Sequence, residues 1–247
     1  MDPTRVDRAV LNNICWYQAI FDAHGLRHSI DDKVWCSHAL PPAFHSNLVV
    51  LAPTLTEREL DAYVNELRAQ PHLDSWSLKD SYACLDLAPR GFTQLFQAAW
   101  IWRDPELPAR GTVTPRLTWS RVTQRAELAA WEDAWWGNPR NKAAAARIPH
   151  IPAQLLTSPD HAFFAGKTDG VIVAGGIANR SPGAIGLSNL FAPPGDAQEA
   201  WIAVVGQIAA LFPNTPIVGY EQGADLDLAV QAGFQPIGPL RVWQNRR

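Results

Sequence analysis

AIGLSNLFAPPGDAQEAWIAVVGQIAALF, residues 184–212, reads as a strand, a short break and then a helix. Ala184–Phe191 is largely apolar and follows Ser181-Pro182-Gly183, a turn signal. From Asp196 to Phe212, the residues Trp201, Val204, Val205, Ile208, Leu211 and Phe212 fall on one helical face. Asp196 with Glu199 three residues on has the spacing of a capping box, and Pro213 closes the helix. Residues 188–197 are therefore a strand-to-helix junction. Amide N–H groups at a helix start point at one spot, and the helix dipole favours an anion there.

Working outward, Leu117–Thr123 alternates like a strand, and Gln124–Trp136 is helical with Leu128, Trp131 and Trp135 on one face. A second, Ala-rich helix is expected from Asn141 towards Leu156, interrupted near Pro149 and Pro152. Ala162–Lys167 and Val171–Asn179 are apolar strands around Thr168-Asp169-Gly170, a hairpin signal. Gly175-Gly176 inside the second of these predicts a bulge or a close backbone approach. Beyond the 196–212 helix come a strand at Pro216–Glu221, a short helix at Asp225–Ala232 ended by Gly233, and a strand at Gln235–Trp243.

The chain also resembles itself at an offset of 141–142 residues. Ser46-Asn47-Leu48 matches Ser188-Asn189-Leu190, and Leu85-Asp86-Leu87-Ala88 matches Leu226-Asp227-Leu228-Ala229. Gly91-Phe92 then matches Gly233-Phe234, and Ile101-Trp102 matches Val242-Trp243. This ordered series divides the chain into two related domains, 1–110 and 111–247, joined by the Pro-rich stretch Asp104–Pro115. The first half reads as a long helix (Val6–Ala23), a weak hairpin up to Trp35 and a strand at Asn47–Ala52. After these come a helix capped by Thr56 and Glu59, a strand at Trp76–Tyr82, a short helix at Leu85–Arg90 and a strand at Thr93–Trp102.

The order of strand, two helices, three antiparallel strands, amphipathic helix, strand, helix and strand resembles the GNAT N-acetyltransferase superfamily. The resemblance covers nearly all of 117–247 and, less completely, about 6–103. It implies an α+β fold of two GNAT-like domains, each a mostly antiparallel mixed sheet flanked by helices, the first domain degenerate. It further implies a sheet splayed between its fourth and fifth strands, acetyl-CoA in the splay as co-substrate, and direct attack of an amine on the thioester. Carried onto this chain, the cofactor contacts are Leu190, Phe191, Ala192, Gly195, Asp196, Ala197 and Gln198. Gly195 and Ala197 fit the small positions of the family's phosphate motif, whereas Ala192 replaces its Arg or Gln, Pro193 and Pro194 lack N–H donors, and Asp196 adds a negative charge. The family often places a Tyr acid five residues before the Phe of Gly-Phe; here that residue is Ala229, and Leu87 in the first half. Tyr220 and Glu221, ending the preceding strand, are the replacement candidates for catalysis. Trp136, expected to be exposed, and Ser188 and Asn189 complete the acceptor side; Ser188 and Asn189 are also expected to satisfy backbone groups at the splay.

Composition narrows the alternatives. With 247 residues, 47% apolar and 18% charged, the chain can bury a core without disulfide or metal staples. The net charge of −3 comes without a basic stripe, which speaks against nucleic acid, and no apolar run is long enough for a membrane span. Three widely spaced Cys fit a reducing cytoplasm. No metal is expected: Cys36 with His38 and His24 with His28 lack partners at zinc-like spacing, and His45, His72, His150 and His161 read as surface or satisfied core groups. Gly186-Leu187-Ser188 carries half of a nucleophile elbow, too little for a serine hydrolase. Two readings follow. One is an N-acyltransferase moving an acetyl group from acetyl-CoA to a primary amine on a small molecule or peptide. The other is a catalytically silent tandem module that binds a ligand or partner.

Overall fold

Thr4 and Asp7 each accept from the other's backbone amide, a reciprocal cap that starts α1 (Arg5–Ala23). Thr56 and Glu59 do the same for α2 (Glu57–Arg68), as their spacing predicts. The chain is seen in a computed structural model that describes residues 4–106, 115–138 and 151–246. The other helices are α3 (Arg125–Gly137), α4 (Ala197–Leu211) and α5 (Gly223–Gln231). The first strands are β1 (Ser29–Ile30), β2 (Val34–Cys36), β3 (Leu48–Val50), β4 (Ser75–Asp80) and β5 (Phe92–Arg103). They are followed by β6 (Thr118–Val122), β7 (His161–Thr168), β8 (Val171–Ser181), β9 (Ala184–Phe191), β10 (Ile217–Glu221) and β11 (Gln235–Arg246). Most of the expected 141–156 helix, and 107–114 of the expected linker, lie outside the described residues; the end of the former is a 3₁₀ turn, Ala153–Thr157. The helix expected over Leu85–Arg90 is also a single 3₁₀ turn, Ala88–Arg90. The Leu85 amide bonds the Asp80 carboxylate rather than a helical carbonyl, and Gly91 at φ 80° ends the turn at once.

The eleven strands of the described residues join one mixed sheet, in the order β1-β2-β3-β4-β11-β5-β10-β9-β8-β7-β6. Its two parallel pairs are β3 with β4 and β9 with β10. This is a mixed α+β fold. The last strand of each half crosses to the other: β11 lies between β4 and β5, and β5 lies between β11 and β10. The β5–β11 ladder is long, running from Phe92–Asn245 to Trp102–Gln235, with a bulge on either side of its middle.

Alternation along the strands sorts the helices onto two faces. Trp35 and Val49 point to the side of α1 and α3, while Val34, Cys36, Leu48 and Val50 point to α2. In the second half Ile177 belongs to the α1/α3 side, and Ala178, Ile185 and Leu187 to the side of α4 and α5. α1, from the first half, therefore lies across β8, β9, β10 and β5. A buried amide pair fixes it there. Asn12 Nδ2 donates to the Asn179 carbonyl (3.0 Å) and to Ser181 Oγ (2.9 Å), and Asn179 Nδ2 returns a bond to Asn12 Oδ1 (3.1 Å). Gly186 makes room for it, since a Cβ there would fall 2.0 Å from Asn12 Oδ1.

The Gly175 expectation holds. Trp131 packs against β8, its Nε1 donating to the Phe164 carbonyl (2.9 Å), and a Cβ on Gly175 would sit 2.2 Å from that nitrogen. Gly175→Ala should lower stability by about 2–4 kcal/mol through overpacking, read as a urea midpoint shift at unchanged slope. The crossing of β5 and β11 has its own test. Fragments 1–106 and 115–247, made separately, should each give poorly dispersed amide spectra and recover native dispersion on mixing. A well-folded fragment on its own would show that the crossing is dispensable.

Candidate active site

β9 and β10 pair at only two positions, Ile185–Ile217 and Gly186–Val218, and then part. The cause lies in β9. Between the Ile177–Ser188 and Gly175–Phe191 partners, three steps of β9 face two of β8, and Asn189 absorbs the extra residue at φ 51°. β9 bends away, and beyond Gly186 and Val218 the two strands no longer hydrogen-bond each other. Between them opens a cavity of about 380 Å³, walled by Ser188, Asn189, Leu190 and Phe191 of β9 and by Tyr220 and Glu221 of β10. α1 contributes Asn13, Trp16 and Tyr17, the loop before β3 contributes Phe44 and His45, and Trp100 and Trp135 close the apolar sides.

Two side-chain atoms in this wall are buried without a hydrogen-bond partner, Ser188 Oγ and His45 Nε2. Ser188 was expected to satisfy backbone groups at the splay. It does not, because the strand it would have served has turned away. His45 was expected to be a surface or satisfied group, and one of its nitrogens is orphaned. Its Nδ1 lies 2.9 Å from the Ala43 carbonyl, which only accepts, so the proton sits on Nδ1 and Nε2 keeps a lone pair. Burial pushes the His45 pKa down to about 4, against the partial support of that carbonyl. The imidazole is neutral at physiological pH.

Tyr220 stands edge-on to Trp100, with ring centroids 5.5 Å apart. Behind it lies Lys79 of β4, whose side chain is fully buried. The Lys79 ammonium donates to Asn13 Oδ1 (2.9 Å) and sits 4.4 Å from the Tyr220 ring centroid and 4.9 Å from that of Tyr17. Burial drives the Tyr220 phenol up, and the Lys79 charge pulls in the opposite direction. Lys79 itself is disfavoured by burial yet held above its ordinary value by the two phenols. Nothing in the sequence singled out Lys79, because its partners come from α1 and β10, far away in the chain.

Of the predicted site residues, Ser188, Asn189, Leu190, Phe191, Tyr220 and Glu221 come together in the cavity wall. Trp136 does not line it. It is half-buried against Phe44 and Trp135; Trp135 sits in the core as expected and also closes one side of the cavity. Ala192, Gly195, Asp196, Ala197 and Gln198 form the break and the start of α4, outside the cavity lining. The capping box expected there is absent. Asp196 makes no side-chain cap, and the buried Glu199 accepts instead from the Arg116 and Leu117 amides at the approach to β6 (2.9 Å each). Asp196, expected to be an unpaired charge, pairs with Arg116 at 2.7 Å. Arg116 is also the nearest side chain to an added Gly195 Cβ (3.8 Å), which puts a guanidinium beside the start of α4. Ala229 is buried in the α4/α5 core and offers no acid. Among the described residues no group of three or more His, Cys, Asp and Glu could hold a metal ion, and no helix is long and apolar enough to cross a membrane.

No model of a known protein family matches the sequence, and no curated protein does. Solved structures do. A GCN5-related N-acetyltransferase from Kribbella flavida is similar over 98% of this chain and 95% of that one, with a TM-score of 0.69 at 15% identity. The fold is that of GNAT acetyltransferases. A second such enzyme, from Sphaerobacter thermophilus, matches over 99% of this chain and 94% of its own, with a TM-score of 0.60 at 10% identity. A conserved protein of unknown function from Staphylococcus epidermidis matches over 90% and 94%, with a TM-score of 0.60 at 9% identity. In the GNAT arrangement the splay expected between the fourth and fifth strands is the parting of β9 and β10.

The depressed pKa of His45 carries a pH signature. Unfolding lets the imidazole return to about 6.5, so the unfolded chain binds this proton first as the pH falls. The stability that the neutral ring contributes is fully present above pH 6.5 and should be lost between about 6.5 and 4, by up to roughly 3 kcal/mol. In His45→Gln that part of the acid-side loss should vanish from urea titrations run across the same range.

Proposed function

We propose that the protein is an N-acyltransferase that moves an acetyl group from acetyl-CoA to a primary amine in the β9/β10 cleft. The observation that carries this reading is the cavity at the strand parting of a GNAT fold, with the Tyr220 phenol on one wall and the orphaned Ser188 hydroxyl on the other. The residues suit the co-substrate. Leu190 and Phe191 give an apolar wall beside the bend of β9, and Gly195 leaves open space at the start of α4, with Arg116 alone within 4 Å of an added Cβ. The first turn of α4 then offers its amides to a pyrophosphate. Bound acetyl-CoA supplies an acyl group activated as a thioester.

The chain's own residues then have separate tasks. Ser188 and Asn189 face the acceptor from β9, and the neutral His45 Nε2 accepts an N–H from the amine opposite. Tyr220 holds the proton that the departing sulfur needs, and Glu221 is placed at the same strand end to draw a cationic acceptor towards the cavity. The two halves are read as a duplication. Its first copy lacks any Gly in its counterpart of the junction, Ala52–Glu57, and serves as the lid that supplies α1 and the Phe44–His45 loop. Three unpaired thiols suit a reducing compartment.

A second reading, a silent module that binds a ligand in the same cavity, is favoured by Pro193 and Pro194, which lack N–H donors in the phosphate cradle, and by Ala229 in place of the family's acid. Calorimetry with acetyl-CoA, followed by product detection against a panel of amines, separates the two. Binding with turnover supports the enzyme; tight binding of an amine without any acyl-CoA affinity supports the module. Within the enzyme reading, Arg116→Ala should weaken acetyl-CoA binding by about tenfold, ~1.4 kcal/mol. Asp196→Asn, which releases Arg116 and removes a charge, should tighten it. Tyr220→Phe should lower kcat by about a hundredfold and leave the acetyl-CoA Kd unchanged.

A further inference from the structure

Lys79 is the one lysine of the described residues that is fully buried, and no carboxylate pairs with it among them. Burying an ammonium is costly unless something answers its charge. The amide oxygen of Asn13 and the two tyrosines, through their ring faces and phenols, do so here. Such a set keeps the ammonium charged and leaves it without a full counter-charge, so it can answer a negative charge that appears beside it. Lys79 does not line the cavity; Tyr17 and Tyr220, which stand in front of it, do. Its charge therefore reaches a bound molecule through a phenol.

The geometry points to Lys79 as a positioning residue, contributed by the first half, that makes the Tyr220 phenol a proton donor to the leaving group in the second half's cleft. This rests on the acyltransferase reading above. In the step, the amine nitrogen forms a bond to the acyl carbon while the carbon–sulfur bond breaks and its electron pair passes to sulfur. The Tyr220 proton goes to that sulfur, and the proton lost from nitrogen returns through solvent to the phenolate. Lys79 keeps its proton throughout and answers the phenolate charge between those two events. Groups on other elements act on the same phenol. Glu221 beside it opposes ionisation, as does Tyr17 from α1, and Asp225 of α5 lies in the same cavity wall. The Lys79 charge must outweigh these. That explains a lysine inside the sheet rather than a neutral residue.

The test uses the full-length protein without any acyl-CoA. Phenolate absorbance is followed through an alkaline titration, and the difference from Tyr220→Phe isolates Tyr220 among the four tyrosines. In Lys79→Met the Tyr220 midpoint should rise by at least about one pH unit, a tenfold change in its acidity. Lys79→Arg should keep it near the wild-type value. Asn13→Asp, which places a carboxylate on the ammonium without emptying the site, should raise it as well and serves if Lys79→Met does not fold. In turnover, Lys79→Met should lower kcat by about tenfold or more, with the alkaline limb of the profile displaced to higher pH and the acetyl-CoA KM unchanged. A Tyr220 midpoint that stays put in both Lys79→Met and Asn13→Asp overturns the proposal. A midpoint that moves in a protein that transfers no acyl group upholds the Lys79–Tyr220 coupling and rejects the acyltransferase reading.

Discussion

The ladder between β5 and β11 is the constraint on which the rest of the molecule depends. Each of these twelve-residue strands hydrogen-bonds the other along most of its length, and each has on its far side a strand from the opposite half. Remove β11 and β4 loses one of its two neighbours; remove β5 and β10 does. Because β10 is one wall of the cavity, the position of Tyr220 and Glu221 is set by a strand from the first half rather than by the 111–247 segment alone. The same crossing brings β4 close enough for Lys79 to stand behind Tyr220, and it lets α1 lie over β8 and β9. Sheet, roof and buried charge are consequences of one exchange.

Most of the secondary structure was legible because its signals are local. The Thr56–Glu59 cap, the Asp169-Gly170 turn and the apolar face of Trp201, Val204 and Ile208 each need only a few neighbours to be read. The strand parting was legible in outline through the order of elements and the strand-to-helix junction. The crossing was not, since nothing within residues 92–103 or 235–246 says which half they will pair with. Both are long, apolar-rich strands with matching ends, and either could have closed on its own half.

At the site the division is similar. Ser188 to Phe191 and Tyr220 with Glu221 could be named because strand ends at a splay must face the gap. Errors came wherever a residue's partner lies far away in sequence. Asp196 and Glu199 have capping spacing, but Arg116 and the 116–117 backbone, some 80 residues upstream, compete for both carboxylates and win. An ion pair with a guanidinium, for Asp196, and charge-assisted bonds to backbone amides, for Glu199, outweigh a cap worth about 1 kcal/mol. Trp136 misses its expected place for a related reason, since the helical period sets Trp135 in the core correctly but does not say that Phe44 from another element would pack against Trp136. Lys79 and His45 gave no sequence signal at all, and both owe their character to burial by other parts of the chain.

The exchange of strands also bears on how the protein is made. β5 leaves the ribosome about 130 residues before β11, which at roughly 5–20 residues per second is a wait on the order of ten seconds. Over that interval the β4 and β5 segments are without the strand that pairs with both of them. Unpaired strand edges template pairing with any nearby extended chain. The first half therefore waits for the end of the chain before its sheet can close, so the order of synthesis bears on folding as well as the stability of the finished sheet.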